Sequence, residues 1–185
     1  MGYGVTRGKM FYYDSVLKEN ESNFDWEKAL KYLDLLYVKK HSEQIAATIV
    51  GFAWYYFIEG AVESKSYNLE SCQIGLDYWK KYLDIGFKEF YDDPSFCFIA
   101  GYTLALHGFF IDGGTNADQE ELGYSLIKKC QQTTDNDTLK DVSACFLKRR
   151  WVKKIVSSGL KEDRLKLLFD TDSLIDKYFI KIFSN

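Results

Sequence analysis

The sequence predicts an all-α protein of stacked antiparallel helical hairpins, about eight or nine helices in a single domain spanning residues 1–185. Three observations predict it. One proline stands in 185 residues, where about 5% is usual, so almost nothing interrupts a helix. Apolar residues recur three and four apart through most of the chain, the period of one helical face. No Asn-Gly or Asp-Gly pair joins two alternating segments, so strand hairpins have no support.

The first 24 residues read as an amino-terminal arm, with VTRGKMFYYDS as a short strand or irregular segment. From Asp25 to Lys40, residues Trp26, Ala29, Leu30, Leu33 and Tyr37 form one face, with Glu27, Lys31 and Asp34 opposite. Ser42 caps a second helix, dense in Ala, Ile and aromatic residues, that runs to about Glu59. Asn68 is an N-cap, because its side-chain oxygen accepts a free amide proton of the first turn. Leu69, Cys72, Leu76, Trp79, Leu83 and Phe87 follow it at helical spacing. Asp93-Pro94 is the strongest start signal: Asp caps, and Pro at the first helical position has no amide proton to leave unpaired. That helix is expected to end near Asp112-Gly113-Gly114, where glycine tolerates a left-handed cap. Asn116 opens the next, with Leu122, Leu126, Ile127 and Cys130 inward. The 135–137 segment caps another, carrying Leu139, Val142, Cys145 and Phe146. The hairpins so defined occupy 25–157, and two short amphipathic helices, about 160–169 and 171–183, fill the C-terminal part, 158–185.

An internal repeat underlies this order. GFAWYYFIEG (51–60) aligns with GYTLALHGFF (101–110), and GLDYWKKYL (75–83) with GYSLIKKCQ (123–131). Each unit is a nearly all-apolar helix followed by an amphipathic one carrying Gly and Lys-Lys. Glycine inside a helix costs about 1 kcal/mol relative to alanine, so Gly51 and Gly101 are expected at close helix–helix contacts. The pattern is similar to tetratricopeptide-like repeats over roughly 42–147, with a period about 14 residues longer than their usual ~34 and no terminal proline. The resemblance implies stacked helical hairpins.

Composition excludes several classes. A net charge of −3 argues against a broadly basic nucleic-acid binder. Two uncharged stretches, 44–58 and 94–111, fall short of a membrane span: the first is too brief, and the second is flanked by Asp93 and Asp112 rather than Lys or Arg. The amino terminus has no apolar signal region, and bulky Tyr3 argues against the myristoylation outline of Gly2 and Thr6. Cys72, Cys97, Cys130 and Cys145 stand far apart with no C-x-x-C pair, which fits reduced thiols in a cytoplasmic protein and no zinc site. Cys97 and His107 are ten residues apart on one helix, roughly 15 Å along its axis, too far for a nucleophile–base pair. Both read as core groups, and His41 reads as an exposed residue near a helix cap. No glycine loop for phosphate and no assembled catalytic constellation is present. The expectation is therefore no catalysis, no cofactor and no metal.

Two kinds of residue are candidates for binding a partner. Asp112, Asp118, Glu120 and Glu121 lie within ten residues without a base among them, and Asp135, Asp137 and Asp141 form a second acidic group. Such carboxylates present a negative edge to a basic protein. Aromatics are the compositional outlier at 17%, and Tyr55 and Tyr56, with Tyr12, Tyr13 and Tyr67, are expected on the surface, where Tyr serves interfaces well.

A small, mildly acidic, all-helical chain of this make-up resembles the bacterial immunity proteins of contact-dependent growth inhibition and related toxin systems, a resemblance of overall type. Twenty Lys against four Arg, with many Phe, Tyr, Ile and Asn, suggests the AT-rich coding seen in such acquired loci. The resemblance implies a cytoplasmic protein that binds one cognate toxin, commonly a basic nuclease, as a heterodimer and occludes its active site. The alternative is a small nucleic-acid-binding regulator using the basic run Lys148-Arg149-Arg150-Trp151-Val152-Lys153-Lys154.

Overall fold

The structure, a computed structural model, describes residues 8–63, 68–112, 116–151 and 160–184, with the side chains in those ranges except 61–63, 112, 116 and 149–151. Ten helices lie among the described residues, with no strand. In chain order they are α1 (Ser15–Ser22), α2 (Trp26–Lys40), α3 (Glu43–Glu63), α4 (Leu69–Glu89), α5 (Pro94–His107), α6 (Phe109–Asp112), α7 (Asn116–Thr133), α8 (Asp137–Trp151), α9 (Glu162–Leu165) and α10 (Leu174–Ser184). Two more helices than the lower expectation arise because α1 and α6 were not legible as separate elements. Among the described residues, no helix is long and apolar enough to cross a membrane.

The two halves of the repeat form two antiparallel hairpins, α3 with α4 and α5 with α7, and α3 packs on α5 between them. Helix α2 covers α3 on one flank and α8 covers α7 on the other. Caps hold the helices where the sequence places them. Asn68 Oδ1 accepts from Ser71 N at 3.0 Å, Asp93 Oδ1 from Phe96 N at 2.7 Å, and Asn136 Oδ1 from Thr138 N at 3.0 Å. Replacing Asp93 by Ala removes a cap and should cost about 1 kcal/mol in chemical denaturation, while Asp93→Asn, which still accepts, should cost a few tenths.

Glycine makes the hairpins close. A Cβ on Gly101 would lie 2.7 Å from the Gly123 carbonyl oxygen, and one on Gly123 would lie 2.4 Å from the Ala105 nitrogen. The α5 and α7 backbones therefore touch, as expected of Gly101. Gly51 differs: its Cβ would meet the Phe11 ring at 2.8 Å, so it admits the amino-terminal segment rather than a partner helix.

That segment is the largest departure from expectation. Residues 8–14 are irregular and followed by α1, but they do not hang free as an arm. Met10 and Phe11 are each 1% exposed. Met10 N donates to Leu168 O at 2.7 Å, Tyr12 N to Thr48 Oγ1 at 2.8 Å, and Gln44 Nε2 to Lys9 O at 2.9 Å. The extended chain is wedged between α3 and the C-terminal helices, with its backbone groups satisfied by both.

Three smaller corrections follow from packing. Helix α5 breaks at Gly108, where a Cβ would strike Gln119 Cβ and Leu104 O, each at 2.6 Å, rather than at Gly113-Gly114, which lie outside the described residues. Leu69 is 90% exposed, because the buried face of α4 runs through Ser71, Gly75, Trp79, Tyr82, Leu83 and Gly86, and two glycines and a serine hide it from an apolar count. The first C-terminal helix shrinks to α9, four residues long.

At the centre, the Tyr102 ring lies 5.6 Å from Trp54, 5.2 Å from Phe146, 5.0 Å from Phe179 and 6.1 Å from Phe183. One residue thus joins α3, α5, α8 and α10.

Candidate partner-binding edge

The acidic candidates gather where α6 meets α7. Gly108 packs against Gln119, which brings the first turn of α7 beside the end of α5. Asp118 in that turn and Glu121 beyond it are exposed, and Glu120 is half-buried. Anions suit this position, since a helix N-terminus carries partial positive charge. Asp112 closes α6 on the same edge, and its side chain lies outside the described residues. The second acidic group divides: Asp135 and Asp137 are exposed, whereas Asp141 is paired with Arg164.

Beside the carboxylates lies an apolar stripe that the sequence did not single out. Leu106 at the end of α5 and Phe109 and Phe110 at the start of α6 are 39%, 38% and 40% exposed. Tyr102 and Tyr124 both pack on Phe146, at 5.2 and 5.8 Å. One turn from each toward the α6–α7 end, on antiparallel helices, places Leu106 and Glu120 on the same side. Phe110 rests edge-on against Phe57 at 4.9 Å and Phe109 against Phe110 at 4.1 Å, so the stripe is held from below. The signal was hidden because every position from Phe96 to Ala100 is apolar, and no face stands out against such a background. Around the corner, between α4 and the α6–α7 end, a groove of about 270 Å³ is lined by Leu83, Leu104 and Leu122 and by the charged Lys80 and Asp84.

The tyrosine expectation is corrected. Tyr55 and Tyr56 are 6% and 5% exposed. Helix α3 is surrounded, so its polar-tipped aromatics serve the interior: Trp26 lies 5.4 Å from Tyr55 and stacks on Tyr56 at 6.4 Å, and Tyr178 meets Tyr55 at 5.6 Å. The Tyr56 hydroxyl reaches Glu27 Oε1 at 3.4 Å, which lets a polar tip be buried. Tyr12 and Tyr13 are half-buried, and Tyr67 lies outside the described residues. Neither Tyr55 nor Tyr56 can meet a partner without unpacking α3.

The residues of possible chemistry are occupied in the core. Cys97 Sγ donates to Tyr91 O at 3.0 Å, and burial pushes its thiol up to about 11. Cys130 is buried beside Ser143, whose hydroxyl donates to Sγ at 3.4 Å, and burial pushes this thiol up to about 12. Neither is a thiolate at neutral pH, and the four cysteines are free. His107 Nδ1 accepts from Trp54 Nε1 at 3.2 Å, and desolvation lowers its basicity, so the ring is neutral. His41 ends α2 in the left-handed region at φ 46° and is exposed, with Nε2 2.8 Å from Glu89 Oε2. Among the described residues, no group of three or more His, Cys, Asp or Glu stands close enough to hold a metal ion. Of the basic run, Lys148 is exposed; the side chains of Arg149, Arg150 and Trp151 and the whole of Val152, Lys153 and Lys154 lie outside the described residues.

Compared with known proteins, the chain matches no family model, no curated protein and no solved structure.

Proposed function

We propose that this chain is a non-catalytic, cytoplasmic protein-binding module of the toxin-immunity type, which binds a cognate basic nuclease toxin and occludes its active site. One observation carries the reading: the acidic start of α7, with Asp118, Glu120 and Glu121, packs beside α6, which with the end of α5 carries the half-exposed Leu106, Phe109 and Phe110. An apolar anchor flanked by charge is how interfaces divide affinity from steering. A nuclease cleft must attract a polyanion, so its Lys and Arg project a field over about 8 Å at physiological salt. Carboxylates presented to that field orient the approach, and the apolar stripe slows dissociation.

The test uses the protein encoded by the adjoining upstream reading frame, co-expressed and co-purified with this chain. Reversing Glu120 and Glu121 to Lys should slow association about tenfold or more at low salt, change dissociation less, and leave the Tm unchanged. The deficit should shrink as salt rises. Wild-type association at low salt would remove the acidic edge from the interface. Salt-sensitive binding of generic DNA or RNA, in place of one protein partner, would favour the regulator reading.

A further inference from the structure

Two carboxyl groups are sealed into the seam where the amino-terminal segment meets the C-terminal helices. Glu21 of α1 is 2% exposed and Asp176 of α10 is 1% exposed. Glu21 acts as a cap from a distant part of the chain. Its Oε1 accepts from Ser173 Oγ at 3.0 Å and from Ile175 N at 3.1 Å, at the start of α10. Tyr13 hydrogen-bonds with the same Ser173 hydroxyl, which also accepts from Asp176 N at 3.2 Å. The Glu21 carboxylate therefore has donors and a helix N-terminus to hold its charge. Asp176 stands in the first turn of α10 itself, but one of its two oxygens is left out of such contacts. Its Oδ1 is buried and has no hydrogen-bond partner. An ionised oxygen left so would cost several kcal/mol, whereas a protonated one presents a neutral hydroxyl.

We propose that the seam is a proton-operated clasp: one proton, carried by Asp176 and not by Glu21, keeps α1 and α10 joined, and its loss loosens both. The cations around the pair make their direct contacts elsewhere and act on it only from a distance. Lys9 is turned to the Lys166 and Phe169 carbonyls, at 2.5 and 2.9 Å, and Lys18 pairs with Asp170 at 2.8 Å and reaches Asp172 at 3.9 Å. Lys177 of α10 is exposed and acts on Glu21. Helix α3 contributes Phe52, 5.9 Å from the Tyr13 ring. Burial first, and then the charges of Glu21 and Asp170, hold the Asp176 carboxyl well above its ordinary range against the lowering contact with the Asp170 amide and the charge of Lys9; burial raises Glu21 as well.

A carboxyl raised on folding contributes stability that is fully present below its unfolded value, near 4, and lost as pH rises through its folded value. Asp14, Asp34 and Asp170, held low by their hydrogen bonds and cations against desolvation, work in the opposite sense and are lost in acid. Comparing wild type with Asp176→Asn isolates the clasp from them. The variant should match wild type near pH 4 and exceed its Tm increasingly with pH, by about 5 °C or more above pH 8. Hydrogen exchange, corrected for intrinsic pH dependence, should show amides of α1 and α10 losing protection with rising pH in wild type alone. A Tm difference that is flat with pH, or protection loss spread evenly over α3 to α7, would overturn the proposal. Should the variant fail to fold, carbon-13 titration of the aspartate carboxyls in wild-type protein decides alone. The clasp requires one aspartate carboxyl to titrate well above all the others, and a full set titrating near the ordinary value would refute it.

Discussion

Gly123→Leu is expected to destabilise the protein by more than about 3 kcal/mol, beyond the ordinary range of overpacking. The reason is what the new side chain would strike. At Gly123 the first obstacle is backbone, Ala105 N at 2.4 Å and Gly101 O at 2.7 Å, and a packed helix backbone has no rotamer through which to yield. The α5–α7 hairpin must open along its length. Gly75, its counterpart in the repeat, is a built-in comparison: a Cβ there meets Ala53 O and Phe57 atoms at 3.2 Å, within a few tenths of an ångström of ordinary contact. Alanine in a helix gains about 1 kcal/mol over glycine, which offsets so small an adjustment. Gly75→Ala should therefore melt within a few degrees of wild type, while Gly123→Ala already falls clearly below it. Equal losses at the two sites, read by urea denaturation, would mean that the hairpins are not packed as described.

Tyr102→Ala is the second large effect, about 3–5 kcal/mol, as expected for removing a fully buried aromatic ring. Its ring is shared by four helices, so the void cannot close by the movement of one. A loss of roughly 6–20 °C in Tm should result, at 2–4 °C per kcal/mol for a chain of this size. Tyr102→Phe separates ring from hydroxyl. It forfeits the 3.3 Å contact with the Tyr178 hydroxyl and should cost about 1 kcal/mol. If Ala and Phe cost the same, the hydroxyl contact rather than the ring organises the centre.

Caps and periodic faces carry over from sequence to structure because both are local. Asn68, Asp93 and the 135–137 segment needed only their own first turns to declare a helix start. Gly101 was legible for a similar reason, since glycine inside a strong helical pattern implies a close neighbour. What escaped was decided by other parts of the chain. Met10 and Phe11 look like any apolar pair in an arm until α3 and Leu168 are beside them. Tyr55 and Tyr56 have the composition of an interface but sit on a helix wrapped by α2, α4, α5 and α10. The acidic turn of α7 was visible as a charge run, whereas the Leu106–Phe109–Phe110 stripe was not, because an all-apolar helix does not say which of its sides will be left uncovered. Glu21 and Asp176 carry no sequence mark at all, being charged residues in ordinary amphipathic surroundings.

The hydrogen bond from Met10 to Leu168 turns an open stack into a ring. An ordinary solenoid is one-dimensional: each unit needs only its neighbours, and folding can spread from any of them. Here the wedge at Phe11 meets Phe169 and Phe179, at 6.4 and 5.7 Å, so an early-made piece waits for a late-made one. At 5–20 residues per second, translation separates Phe11 from Phe179 by roughly 10–30 s. During that interval Phe11 lacks the Phe169 and Phe179 rings that cover it in the finished fold. Closing so long a loop also slows the final step relative to purely local hairpins. The nascent chain therefore has a defined window of vulnerability to aggregation and proteases, which ends only when the ring closes.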